Sequence, residues 1–195
     1  MSELSTSRRT TLLQAALTCF AQHGVEATTI AMLREATGAS TGSLYHHFGS
    51  KEGVVEALYL EGLRDFRRLQ ADYLARASGL QDGVRALVHA QVDWITAHPH
   101  WADFLFRQRP QLAGRAAETQ LLAEQAASAR ALMDWFTAYG PRRWPLSVEI
   151  ALVIGPVHEY ARHWLAGRVT EPLSVWREVF AEAALGALGL PPGGS

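Results

Sequence analysis

The sequence predicts an all-α protein of about nine helices. Three observations predict it. Apolar residues return at intervals of three and four in one segment after another. The breaks between segments fall on glycine, on proline, or on threonine and serine placed to cap a helix. No segment shows the alternation of a half-buried strand, and there is no internal repeat. The chain has 195 residues, 48 % of them hydrophobic and 19 % charged, enough for one domain or two small ones with a real core. A formal net charge of −1 argues against a general basic coat, though not against a local basic patch. The single cysteine, Cys19, excludes a disulfide framework and a cysteine zinc site. No apolar run reaches the roughly 18 residues of a membrane span, and the polar N-terminus lacks the apolar stretch of a signal peptide. A soluble cytoplasmic protein without a membrane contact is expected.

The first half divides into four helices. In 8–23, Leu12, Leu13, Ala16, Leu17 and Phe20 mark one face, and Gly24 is a stop signal. Thr28 and Thr29 offer cap oxygens for a short helix at 30–37, which Gly38 ends. Ser40 caps another at 41–47, broken by Gly49. A long helix then runs from Lys51 to about residue 77, with Val54, Leu58, Leu63, Phe66, Leu69 and Tyr73 on its apolar side. The second half continues in helices. Segment 80–98 stops at Pro99, and an aromatic helix at 100–108 stops at Pro110. Segment 112–138 ends at Tyr139-Gly140-Pro141. Segment 147–166 carries Pro156, which should kink it. The last helix covers 171–188, with Pro172 near its first position, and the tail after it should fray.

The halves differ in composition. Lys51 is the only lysine, all six tryptophans lie at Trp94 or later, and all eight prolines at Pro99 or later. Segment 28–53 reads TTIAMLREATGASTGSLYHHFGSKEG. Two short helices around a turn opened by glycine form a helix-turn-helix pattern. The second helix exposes small or hydrogen-bonding residues, Thr41, Gly42, Ser43, Tyr45 and His46. Such a helix can approach a major groove closely and bond to phosphates and base edges. Leu44 and Phe48, four apart, should anchor it inward. Lys51, in the first turn of the next helix, could bind a phosphate together with free N–H groups.

On these residues the segment resembles the DNA-binding domain of the tetracycline-repressor (TetR) family of bacterial regulators. The match begins with Ala15, Ala16, Phe20 and Gly24 and continues with Thr28, Thr29, Ile30 and Gly38. It is densest at Ser40, Gly42, Leu44, Tyr45, His47, Phe48, Ser50, Lys51 and Glu52. It covers about the first quarter of the chain. Arg34 stands where the family usually carries a small alanine, and it either snorkels outward or tilts the third helix. Thr37 and Ala39 replace the usual alanine and valine. The resemblance implies an N-terminal three-helix reading head at 1–52, linked by the helix at 51–77 to a ligand-binding and dimerisation domain at 53–190. It implies a homodimer on double-stranded DNA with a palindromic operator, released by a small molecule and needing no cofactor. Repression is the family's habit. The DNA contacts are then Thr28, Thr29, Ser40, Thr41, Gly42, Ser43, Tyr45, His46, His47 and Lys51, with Thr41, Ser43 and His46 best placed for bases.

Other readings weigh less. Basic and acidic residues balance, eight against eight, from Met1 to Arg76. Positive charge must therefore come from placement, at Arg8, Arg9, Lys51 and helix N-termini, and the salt dependence should be moderate. Gly38-Ala39-Ser40-Thr41-Gly42 also fits the G-x-S-x-G elbow of hydrolases, with Asp134 and His158 following, but that motif needs a strand before it. A helical enzyme or ligand-binding bundle with a decorative hairpin is the alternative class; no enzyme is expected. His89, Asp93, His98 and His100, and likewise His158, Glu159 and His163, are spaced too loosely for a metal site. Cys19 reads as a small buried side chain.

In the second half, Trp94, Trp101, Phe104, Phe106, Trp135, Phe136 and Tyr139 could line an effector pocket or form core. His98, Arg107, His158 and Arg162 are candidates to orient an effector. The aromatic content suggests an apolar or aromatic molecule. The last two helices are apolar on more than one face, which suggests a dimer seam at Ile150, Val153, Ile154, Val157, Trp164, Val179 and Ala183.

Overall fold

The computed structural model describes residues 3–108, 116–139 and 144–191. Among them are nine α-helices and no strand. The first half holds α1 (Glu3–His23), α2 (Ile30–Thr37), α3 (Thr41–Phe48) and α4 (Lys51–Leu74). The second holds α5 (Leu80–Ala97), α6 (Pro99–Gln108), α7 (Ala116–Thr137), α8 (Leu146–Leu165) and α9 (Arg177–Ala187). The all-α expectation holds, and most helix ends fall within a residue or two of their sequence signals. No helix among the described residues is long and apolar enough to cross a membrane.

Three boundaries differ. The first helix begins at Glu3, because its polar opening turn carries no apolar stripe to reveal it. The long helix ends at Leu74, three residues early. The last predicted helix is two elements. Leu173–Trp176 forms a 3₁₀ turn capped by Pro172, and α9 starts only at Arg177. Leu173 is fully buried, so its side chain pins the turn and delays the α-helix. Pro110, the predicted helix start at Leu112, the stop at Gly140-Pro141 and the last four residues lie outside the described residues.

The chain forms two compact units, one of residues Met1–Leu63 with His100–Glu118, the other of Arg64–Pro99 with Thr119–Ser195. In the first, Leu13, Leu33, Leu44, Val54 and Leu58 are buried, each leucine contributing about 1.5–3 kcal/mol by leaving water. Phe104 stacks on Phe20 with ring centroids 6.0 Å apart, and Trp101 donates from Nε1 to the Leu58 carbonyl at 3.0 Å.

In the second unit α5 is the central helix. It buries Val84, Leu87, Val88, Ala90, Val92 and Ile95, on nearly every side, and packs against α8 and α9. Its one close backbone approach is at Gly83, where a Cβ would lie 1.8 Å from the Trp135 ring. A polar cluster joins α4, α5 and α9. Asp93 accepts two bonds from Arg177, both at 2.9 Å, and one from the Tyr73 hydroxyl at 2.5 Å. Burial alone would raise the Asp93 carboxyl, but the bonds from Arg177 and Tyr73 outweigh it and hold it below the usual carboxylate range. Accepting that bond, Asp93 pushes the Tyr73 phenol up. Burial, and then the Arg177 charge, push His89 down, although Glu178 Oε1 lies 3.1 Å from its Nε2. Gln91 of α5 is buried, and neither its amide nitrogen nor its oxygen has a partner among the described residues. An amide so placed costs about 1–3 kcal/mol.

Candidate nucleic-acid interface

The turn between α2 and α3 is built by local chemistry. Thr29 caps α2, its hydroxyl oxygen accepting from the Met32 N–H at 3.2 Å. Gly38 closes α2 with a left-handed backbone at φ 63°, which glycine adopts without a Cβ penalty. Ser40 then caps α3, accepting from the Ser43 N–H at 3.1 Å. Gly49 ends it, its N–H donating to the Tyr45 carbonyl at 2.9 Å. Ser50 caps α4 through the Gly53 N–H at 3.1 Å. Gly53 is fixed by crowding, since a Cβ there would lie 1.8 Å from the Phe48 carbonyl oxygen.

This frame gives α3 two faces. Leu33 of α2 and Leu44 of α3 are buried. On the other side Thr41, Gly42, Tyr45 and His46 are exposed, two pairs one turn apart on one stripe. Tyr45 is 51 % exposed, and no neighbour crowds Gly42. Ser43 is half-buried, with its N–H used by the cap. His47 and Phe48 are half-buried too, their rings 5.9 Å apart. An outward stripe of hydroxyl, phenol and imidazole over a close-approaching backbone suits a DNA groove. Ser40 lies between two helices, so no strand precedes it as a hydrolase elbow requires.

Thr28 is a correction. Its side chain is 1 % exposed and its hydroxyl donates to the Gly24 carbonyl at 2.7 Å, so it belongs to the scaffold and has no surface to offer. Lys51 is partly one as well. Its ammonium donates to the carbonyls of Val25 at 3.0 Å and Glu26 at 3.2 Å, which clamps the α1–α2 turn and leaves one proton for another acceptor. Arg9 sits 3.6 Å from Glu61 and over the Phe48 ring; the side chain of Arg8 lies outside the described ones. Arg34 is exposed and has no ion pair among the described residues. The sequence treats it as a packing departure; the structure presents it as a cation beside the turn.

The residues expected to meet an effector are scattered. Trp94 is core, donating to Asp65 at 2.9 Å and packed between Phe66 and His98. Trp101 and Phe104 serve the core of the first unit, whereas Trp94 and His98 belong to the second. Arg107 pairs with Asp103 at 2.8 Å and Arg162 with Glu159 at 3.3 Å, both exposed. Trp135 contacts Phe136 and Tyr139, and His158 is half-buried. Apart from Phe136, none of them lines a cavity found in the second unit. That cavity, of about 30 Å³, lies among Gln70, Leu87, Leu132, Phe136, Leu146, Glu149, Ile150, Val153, Ile154 and Leu188. Of the aromatic cluster that the sequence singles out, Phe136 is among these lining residues.

The expected seam is corrected in part. Val153 and Val157 are buried within the protomer, so neither is free to face a partner, whereas Ile150 and Ile154 line the cavity and are half-buried. Trp164 is half-buried, while Val179 and Ala183 are exposed as a seam requires. Among the described residues no group of three His, Cys, Asp or Glu could hold a metal ion.

Fold and site together define a helical protein with a helix-turn-helix near its N-terminus. Residues 12–58 match the model of bacterial regulatory proteins of the tetR family. Over 138 residues the chain is 33 % identical to the HTH-type transcriptional repressor AcnR of Corynebacterium jeikeium, covering 65 % of this chain and 70 % of that one. It is 53 % identical over 60 residues to the repressor KstR2 of Mycolicibacterium smegmatis, 31 % of this chain and 27 % of that one. It shares its fold with a TetR-family transcription regulator from Marinobacter aquaeolei, with TM-score 0.79 at 18 % identity, over 96 % of this chain and 98 % of the other. The chain belongs to the TetR family. It spans about half the length, 47 %, of AcnR from Corynebacterium glutamicum.

Proposed function

We propose that this protein is a cytoplasmic, non-enzymatic transcriptional repressor that binds a palindromic operator as a homodimer and is released by a small molecule. Residues 1–52 read DNA, and 53–190 carry effector binding and dimerisation. The observation that carries the reading is the outward stripe of α3, Thr41, Gly42, Tyr45 and His46, above a buried Leu44. Thr41 and His46 reach base edges, with Ser43 at the margin. Tyr45, Thr29, Ser40, His47, the remaining proton of Lys51 and exposed Arg34 position the helix on phosphates. AcnR and KstR2 are named as repressors, which supports repression here.

Gel shifts with the DNA upstream of the chain's own gene test the reading. Thr41→Ala and Tyr45→Ala should each weaken specific binding by about 1–3 kcal/mol, roughly 5- to 150-fold. Unchanged operator affinity in both variants would remove α3 as the reading helix.

A further inference from the structure

The α5 face that carries Gly83 and Leu87 continues to Gln91, each residue four positions from the last. Residues four apart on a helix are neighbours on one face. Gly83 receives the Trp135 ring, and Leu87 lines the cavity. Gln91 stands one turn further, buried, with both atoms of its amide unpartnered among the described residues. Native proteins pair nearly all such groups, and an exception calls for an explanation. An amide offers two donors and one acceptor side by side, the complement of a hydroxyl or a ketone.

We propose that the cavity takes an uncharged apolar molecule with one hydrogen-bonding group, a hydroxyl or ketone, which pairs with the Gln91 amide. This rests on the small-molecule-responsive reading above and names the class of effector. The lining is apolar at Leu87, Leu132, Phe136, Ile150, Val153 and Ile154. Among the described lining residues the one charged side chain is acidic, Glu149, which disfavours an anionic ligand. At about 30 Å³ the cavity holds little more than a water or two. Leu132, Leu146, Ile150 and Ile154 at its edge are half-buried, and their rotamer changes can widen it without breaking a helix.

Phenol and its methyl isostere toluene test this on the full chain by isothermal titration calorimetry. Wild type should bind phenol about tenfold or more tightly than toluene. Gln91→Met, which keeps the length of the side chain, should bind both alike, with toluene affinity unchanged and Tm equal or higher. Ile150→Phe, which fills the cavity, should lose both. The proposal is overturned by equal binding in wild type, by a preference that survives in Gln91→Met, by binding of neither molecule, or by binding that Ile150→Phe leaves intact. A lower Tm for Gln91→Met also overturns it, since the amide would then be bonded within the protein. Gel shifts of unliganded wild type and Gln91→Met report the DNA-binding reading separately, and both should shift DNA equally.

Discussion

Thr28 and Thr29 stand side by side, and the sequence cannot tell them apart. Both are cap candidates and both fit the family motif. In the fold one hydroxyl turns back to the Gly24 carbonyl and is buried, while the other caps α2 at the surface. Ser40, Gly38 and Gly49 are legible, because capping oxygens and a left-handed glycine are demanded by short-range chemistry. Lys51 is half legible. Its place in the motif is visible, but its two carbonyl partners lie more than twenty residues away in sequence. Arg34 shows the opposite case, since an arginine on the packing side of a motif is exposed in the structure. If it meets a phosphate, Arg34→Ala should lower operator affinity and reduce the slope of log K against log salt by about 1 for each protomer. Gel shifts across a salt series measure this, and an unchanged slope would leave Arg34 in solvent. Lys51→Met should cost more than the contact, because the α1–α2 turn loses its clamp as well.

At the scale of elements, α3 and α4 meet through Gly53. Alanine there would gain up to about 1 kcal/mol in helix propensity. The clash of its Cβ with the Phe48 carbonyl wins, since backbone must move to relieve it. Gly53→Ala should therefore destabilise the first unit by roughly 1–3 kcal/mol and weaken DNA binding; a rise in melting temperature would contradict the packing. The Asp93 cluster makes a second prediction. The folded carboxyl titrates below its ordinary value of 3.8, so its contribution is complete above that pH and is lost as pH falls through the depressed value. His89, held below its ordinary 6.5, acts in the same direction: neutral in both states above that pH, it opposes the fold as acid protonates the unfolded chain first. Asp93→Asn should lower stability by about 1–2 kcal/mol at pH 7, a figure reduced for partial exposure. The two proteins should converge once pH falls below the depressed Asp93 value. Urea unfolding across pH checks both points. Helix spans were legible from periodicity because each is set by its own residues. This cluster was not, because Tyr73, Asp93 and Arg177 come from three helices, and no local pattern links them.

At the scale of the molecule, the exposed side of α9 and the turn before it carries Val175, Val179, Ala183 and Gly186. They recur at three and four along one stripe, opposite buried Ala181, Ala184 and Leu185. Val175 and Val179 are 61 % and 57 % exposed, and Trp176 and Val148 add further apolar surface. A helix with an apolar stripe on each side has one more packing face than its own chain covers. Small residues at Ala183 and Gly186 would let a second backbone come close, and the same stripe on a second copy is self-complementary about a two-fold axis. We propose this face as the seam of the homodimer, in place of Val153 and Val157, which are buried within the protomer. Light scattering at micromolar concentration should then give twice the 21.4 kDa of the chain. Val179→Glu would place two like charges near the axis and bury them without partners. It should raise the dimer dissociation constant by at least about tenfold, roughly 1.4 kcal/mol, with helicity unchanged. Val153→Ala, inside the protomer, should lower stability and leave the mass at the dimer value. A variant Val179→Glu that keeps the dimer mass would move the seam off this face.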